Sequence, residues 1–108
     1  MTVVGTPYYM PPEACQSEPY TSKSDVWALG VILYELCTLR QPFQCDNLLG
    51  LVFKIVQDDP EPIPTTYSPE LQEMVRKLMN KDQKKRPSTA EILKMDYVRQ
   101  GMQQFVEN

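Results

Sequence analysis

The run from Val26 to Leu39, VWALGVILYELCTL, carries one charge, Glu35, and no helical wheel drawn through it leaves a solvated face. A helix that is apolar on every side belongs inside a domain. The run is shorter than the about 20 apolar residues that a bilayer span needs, and its Leu, Ala and Tyr content favours one helix over two strands. Ser22 and Ser24 stand before it as candidate N-caps, and Asp25 brings a negative charge to its first turn, where the helix dipole favours one. The rest of the chain is expected to pack around this central buried helix, at about 24–39.

With 108 residues, 42% of them apolar, there is room for one domain with a modest core. A net charge of -3 argues against bulk attraction to nucleic acid or an anionic membrane. The one basic knot, Lys81 to Arg86, has no aromatic residue interleaved with it for base stacking and reads as a solvated helix flank. Cys15, Cys37 and Cys45 are odd in number and form no C-x-x-C pair, which fits a reducing compartment. The absence of histidine removes the commonest general base, the serine and cysteine dyads and histidine metal sites. The opening MTVVGTPYYM has neither a basic region nor an apolar run, so it reads as neither a signal nor a transit peptide. An intracellular protein, cytoplasmic or nuclear, is the expectation.

Gly5, Pro7, Pro11 and Pro12 around paired tyrosines block regular helix over residues 1–12 and favour an extended loop. Pro12 can open one helical turn through Cys15. After the central helix Pro42 acts as a stop, and Phe43 can tuck back as an anchor. Leu48, Leu51, Val52, Ile55 and Val56 recur at helical spacing behind Asn47, a cap. PEPIP, at 60–64, reads as a stiff polyproline-like spacer, and it lacks the basic anchor of an SH3-type ligand. Ser68-Pro69-Glu70 starts a helix with Leu71, Met74, Val75, Leu78 and Met79 on its apolar face. Ser88-Thr89-Ala90-Glu91 is a capping box, and Tyr97, Val98, Met102, Phe105 and Val106 complete a last helical segment that frays at its end. No convincing strand pair appears, so the fold class is all-α.

Four pieces stand in order along the chain: GTPYYMPPE at 5–13, DVWALG at 25–30, two amphipathic helices, and KKRPSTAEIL at 84–93. In this order and spacing they resemble the C-terminal half of a eukaryotic protein kinase domain, covering nearly the whole chain. The implied fold is a partial kinase C-lobe, with 1–12 as the end of the activation segment and substrate-facing loop, and 13–106 as C-lobe helices. Gly-Thr-Pro-Tyr-Tyr looks like a serine/threonine kinase, and LYELCTLRQPF with LVFKIV is similar to the NIMA-related kinases.

The resemblance implies roles for individual residues. Thr2 matches the activation-loop phosphorylation site, where a phosphate would order the loop against basic side chains. Thr6 matches the threonine that supports the catalytic aspartate, and Gly5, Thr6, Pro7, Tyr8 and Tyr9 the loop that shapes the protein-substrate pocket. Glu13 matches the glutamate of the Ala-Pro-Glu signature and Arg86 its partner in a buried clamp, one that would cost about 3–5 kcal/mol to break. Asp25 holds the catalytic-loop backbone in the family, and Trp27 packs between helices; both are structural. Pro11 departs from the usual Ala or Ser and stiffens the loop.

Phosphoryl transfer needs a glycine-rich loop, a phosphate-binding lysine, an aspartate base with its asparagine, and an Asp-Phe-Gly metal ligand. The sequence contains no His-Arg-Asp and no Asp-Phe-Gly, and its glycines are scattered. The expectation is a fragment of an ATP-dependent serine/threonine kinase, carrying substrate docking and scaffold and inactive alone. It binds no cofactor itself, while ATP and Mg serve the full-length kinase. Its partners are protein substrates and the N-terminal part of the kinase domain. The alternative is a non-catalytic, kinase-derived binding module that engages partners through Tyr8, Tyr9 and the Leu48 to Val56 helix. Under either reading part of the central helix, covered in the family by upstream elements, faces water.

Overall fold

A computed structural model describes residues 8–107 of the chain. Among them lie six helices and no strand: α1 Pro12–Cys15, α2 Ser22–Thr38, α3 Leu48–Gln57, α4 Pro69–Leu78, α5 Thr89–Lys94 and α6 Asp96–Glu107. The all-α expectation holds.

Most helix starts follow local side-chain chemistry. Asn47 Oδ1 accepts from Gly50 N at 2.7 Å, and Ser68 Oγ accepts from Leu71 N at 3.2 Å, with Pro69 at the first helical position. Ser88 and Glu91 exchange side-chain and backbone bonds at 3.1 Å, closing the capping box. The start of α2 differs from expectation. Thr21, in extended conformation, is the N-cap and accepts from Lys23 N at 3.1 Å, while Ser22 lies inside the first turn and Ser24 returns a bond from the third helical position. Thr21 sits one residue before Ser22 and three before Ser24, the two serines proposed for the role, and its backbone angles decide the matter.

The far end of α2 also differs. Pro42 is not what stops it; the helix ends at Thr38, with Leu39 left-handed at φ 59° and its N–H bonded to Glu35 O at 2.7 Å. The Thr38 hydroxyl accepts from Arg40 N at 3.1 Å and donates to Tyr34 O at 2.9 Å, which reverses the chain here.

One face of α2, with Val26, Trp27, Gly30, Val31 and Tyr34, is buried. Gly30 permits the closest approach: a Cβ there would meet Met79 Cγ at 2.8 Å and Leu78 Cβ at 2.9 Å, so α2 and α4 touch backbone to side chain. Leu51 and Ile55 of α3, Val75 of α4 and Met79 just after it pack against this face, and burying each such side chain contributes roughly 1.5–3 kcal/mol. Phe43 stacks on Trp27 with ring centroids 6.2 Å apart, the anchor its position suggested. A smaller cluster joins Val26, Met74 and Leu78 to Ile92 of α5.

The opposite face of α2 is open, with Leu29, Ile32, Leu36 and Leu39 all exposed. The helix is therefore central but covered on one side only: the pattern of the run alone suggested a rod enclosed by the chain, and the water-facing side that the kinase resemblance implied is present. Residues 60–64 are more than a spacer, since Ile63 inserts into the core and Glu61 O accepts from Tyr34 Oη at 2.7 Å. The last helical segment is two helices, broken at Met95 where the backbone turns extended. Beyond Val98 every described side chain of α6 is exposed.

Candidate functional site

The site grows from the single turn α1. Pro11, the departure from the usual Ala or Ser, is buried and extended, and its carbonyl accepts from Ala14 N at 3.1 Å and Cys15 N at 3.3 Å. Pro12 takes the first helical position, where a missing N–H costs nothing. The turn points Glu13 inward, where it is 1% exposed.

Arg86 meets it from a turn without regular structure between α4 and α5, and is equally buried. Nη2 donates to Glu13 Oε1 at 2.5 Å and Nη1 to Oε2 at 2.7 Å, a bidentate pair. Its remaining donors go to carbonyls: Nε to Asn80 O at 2.6 Å, Nη1 to Lys23 O at 2.9 Å and Nη2 to Lys81 O at 3.4 Å. All five guanidinium N–H groups are thus used. Ser24 Oγ donates to Glu13 Oε2 at 2.7 Å, and Lys23 Nζ donates back to Arg86 O at 2.5 Å. Burial pushes the Glu13 pKa up, but hydrogen bonds from Arg86, Ser24 and its own backbone outweigh it and hold the carboxyl below its usual value.

Lys81 to Arg86 is therefore no solvated helix flank: the segment is a turn, Arg86 is buried and Lys81 half-buried. Lys81 Nζ donates to Ile55 O at 2.7 Å and lies 4.9 Å from the Phe43 ring centroid, while Arg86 Cζ is 5.1 Å from that of Trp27. Burial pushes the Lys81 pKa down, against the opposing charges of Asp59 and Asp58. Trp27 thus joins Glu13 and Arg86 in one assembly. Asp25 stays outside it, exposed on the first turn of α2, with Oδ1 accepting from Tyr20 Oη.

Of the residues expected to shape a substrate loop, Tyr8 is half-buried against the core, and Tyr9 is exposed with its hydroxyl donating to Glu35 Oε2 at 3.0 Å. That hydrogen bond, then burial and the Glu35 charge, raise the Tyr9 pKa. Thr2, Gly5, Thr6 and Pro7 lie outside the described residues. Sequence reasoning missed Ser24 as the bridge between Glu13 and the helix cap, and Glu35 as the partner of Tyr9. The first was signalled by a serine three residues after Thr21, and the second by the lone charge in an apolar run.

Burial and the Glu13 charge push the Cys15 thiol up, away from a reactive thiolate. Among the described residues no group of His, Cys, Asp or Glu could hold a metal ion, and no helix is long and apolar enough to cross a membrane. All three cysteines are free. A cavity of about 520 Å³ opens between residues 59–63 and α4, lined by Asp59, Glu61, Arg76 and Lys81 among others. The arrangement fastens a tyrosine-bearing segment to a helical base.

The family described as protein kinase domain matches residues 1–98, and this chain belongs to it. Within that family it is most similar to the NIMA-related kinases. Serine/threonine-protein kinase Nek8 of Danio rerio is 49% identical over 92 residues, covering 85% of this chain and 13% of the relative. Nek5 of Homo sapiens is 46% identical over 97 residues, 90% of this chain and 14% of the relative, and Nek1 of Mus musculus 40% over 105 residues, 97% and 9%. The chain thus spans about a tenth to a seventh of the length of these relatives.

Proposed function

We propose that this chain is the substrate-docking and scaffold part of an ATP-dependent serine/threonine protein kinase, acting inside the cell and unable to transfer phosphate alone. The observation that carries the reading is the Glu13–Arg86 clamp, which ties the segment bearing Tyr8 and Tyr9 to the helical base. In this role Tyr8 and Tyr9, with Gly5, Thr6 and Pro7, face the protein substrate, Thr2 accepts a regulatory phosphate, and Thr6 and Asp25 support a catalytic loop supplied from elsewhere in the kinase. The residues of this chain do not fit ATP or Mg: no His-Arg-Asp or Asp-Phe-Gly is present, and the described carboxylates form no metal-holding group. Those ligands belong with the N-terminal part of the domain, for which the open face of α2 is the natural seat.

The test joins the upstream part of the Nek1 kinase domain in frame to this chain and follows transfer of radiolabelled phosphate from ATP to casein. The joined protein should phosphorylate serine or threonine, and this chain by itself should not. Transfer by the purified chain alone, or a folded, ATP-binding chimera that transfers nothing, would overturn the reading. A purely non-catalytic binding module is the second reading, and it is favoured by the outer surface of α3.

A further inference from the structure

Helix α3 has apolar residues on its outer side as well as its inner one. Leu51 and Ile55 are buried, yet Leu48, Leu49 and Phe53 are 58%, 79% and 61% exposed. The i, i+4 pair Leu49 and Phe53, with Leu48 beside it, forms one row along the surface. The only cation of the helix, Lys54, does not cover this row, because its Nζ is drawn to Gln44 O at 2.6 Å. Three such side chains present on the order of a few hundred Å² of apolar surface, the scale of a functional patch on a monomer.

The surroundings of the row are acidic. Asp46 precedes the helix, Asp58 and Asp59 follow it, all three are exposed, and none joins a salt bridge among the described residues. Lys81 faces the charges of Asp58 and Asp59, but its Nζ is drawn to Ile55 O at 2.7 Å, and Asp46 at the other end has no such neighbour in a salt bridge among the described residues. Helix α1, which carries Glu13, packs against α3, so the helix that bears the row also supports the turn behind the tyrosine segment.

We propose that the Leu48–Leu49–Phe53 row docks an amphipathic helical segment of a partner protein, with apolar anchors at i, i+4 spacing and lysine or arginine at both ends. The patch is well below the ~800 Å² that each subunit contributes to a stable dimer, which favours a transient peptide contact over a second copy of this chain. A positive segment gains from both the acidic flanks and the overall charge of -3. The inference rests on the kinase reading only for the identity of the bearer, which would be a substrate or regulator held while its phosphorylated residue lies at Tyr8 and Tyr9.

The test uses this chain without ATP, so its outcome is independent of phosphoryl transfer. A fluorescein-labelled helical peptide of about 15 residues, with leucines at i, i+4 spacing and lysines at each end, is titrated by anisotropy beside a shuffled peptide and one with glutamates at the ends. Leu49→Ser and Phe53→Ser should each weaken binding by about tenfold or more, with unchanged urea midpoints. Asp58→Lys with Asp59→Lys should shift preference to the glutamate-ended peptide. No binding up to ~1 mM, equal binding of the shuffled peptide, or indifference to both serine variants would overturn the proposal. So would loss of binding in Leu36→Ser alone, which would place the contact on α2, or a sedimenting dimer abolished by Phe53→Ser, which would make the row a contact between copies.

Discussion

Replacing Arg86 with methionine keeps much of its packing over Trp27 and removes its charge. Glu13 is then left 1% exposed with Ser24 Oγ as its principal side-chain donor, and three backbone carbonyls lose theirs. An uncompensated buried charge costs about 3–5 kcal/mol, a large share of the 5–15 kcal/mol that holds a typical domain together. The urea midpoint at neutral pH, followed by circular dichroism, should fall accordingly. The double variant Glu13→Gln, Arg86→Met has no stranded charge and should be less damaged than Arg86→Met alone. The pH dependence supplies a change of sign. In the native protein the Glu13 pKa is depressed below its ordinary 4.5, so its contribution is complete above 4.5 and lost as pH falls through the folded value. In Arg86→Met the same carboxyl is buried without its cation, its pKa rises above 4.5, and this group's contribution grows as pH drops from neutral toward 4.5. A loss under ~1 kcal/mol, or a single variant with the same pH trend as the parent, would refute the clamp as argued.

Two further measurements follow from the packing. Gly30→Ala forces its methyl against Leu78 and Met79 and should cost about 1–3 kcal/mol by pushing α2 from α4, read as a lower urea midpoint; an unchanged midpoint would show that the contact yields freely. The open face of α2 should bind a hydrophobic dye, and Ile32→Glu with Leu36→Glu should remove most of that signal while shifting stability by only ~0.5 kcal/mol; undiminished dye binding would place the reporting surface elsewhere.

What the sequence revealed depended on how local the physics was. Asn47, Ser68 and Ser88 were legible because a cap bonds to an amide two or three positions away. Thr21 was not, because three hydroxyl residues stand within four positions and only the backbone angles select one. The one-sided exposure of α2 escaped periodicity, since its uncovered face is as apolar as its buried one. Ile63 and Lys81 were misjudged for a related reason: a proline-rich connector and a basic knot look solvated until a core is built beneath them. Nothing in spacing or composition pairs Glu13 with Arg86; that pairing came through resemblance alone, and the structure supplies the hydrogen bonds behind it.

The pair also joins positions 73 apart in the chain. At a synthesis rate of about 5–20 residues per second, the turn holding Glu13 leaves the decoding centre about 4–15 s before its guanidinium is made. Throughout that interval a carboxylate destined for the interior must stay in water, and the tyrosine loop has no fixed address. The order of translation thus makes the loop wait for the turn between α4 and α5 before it finds its place.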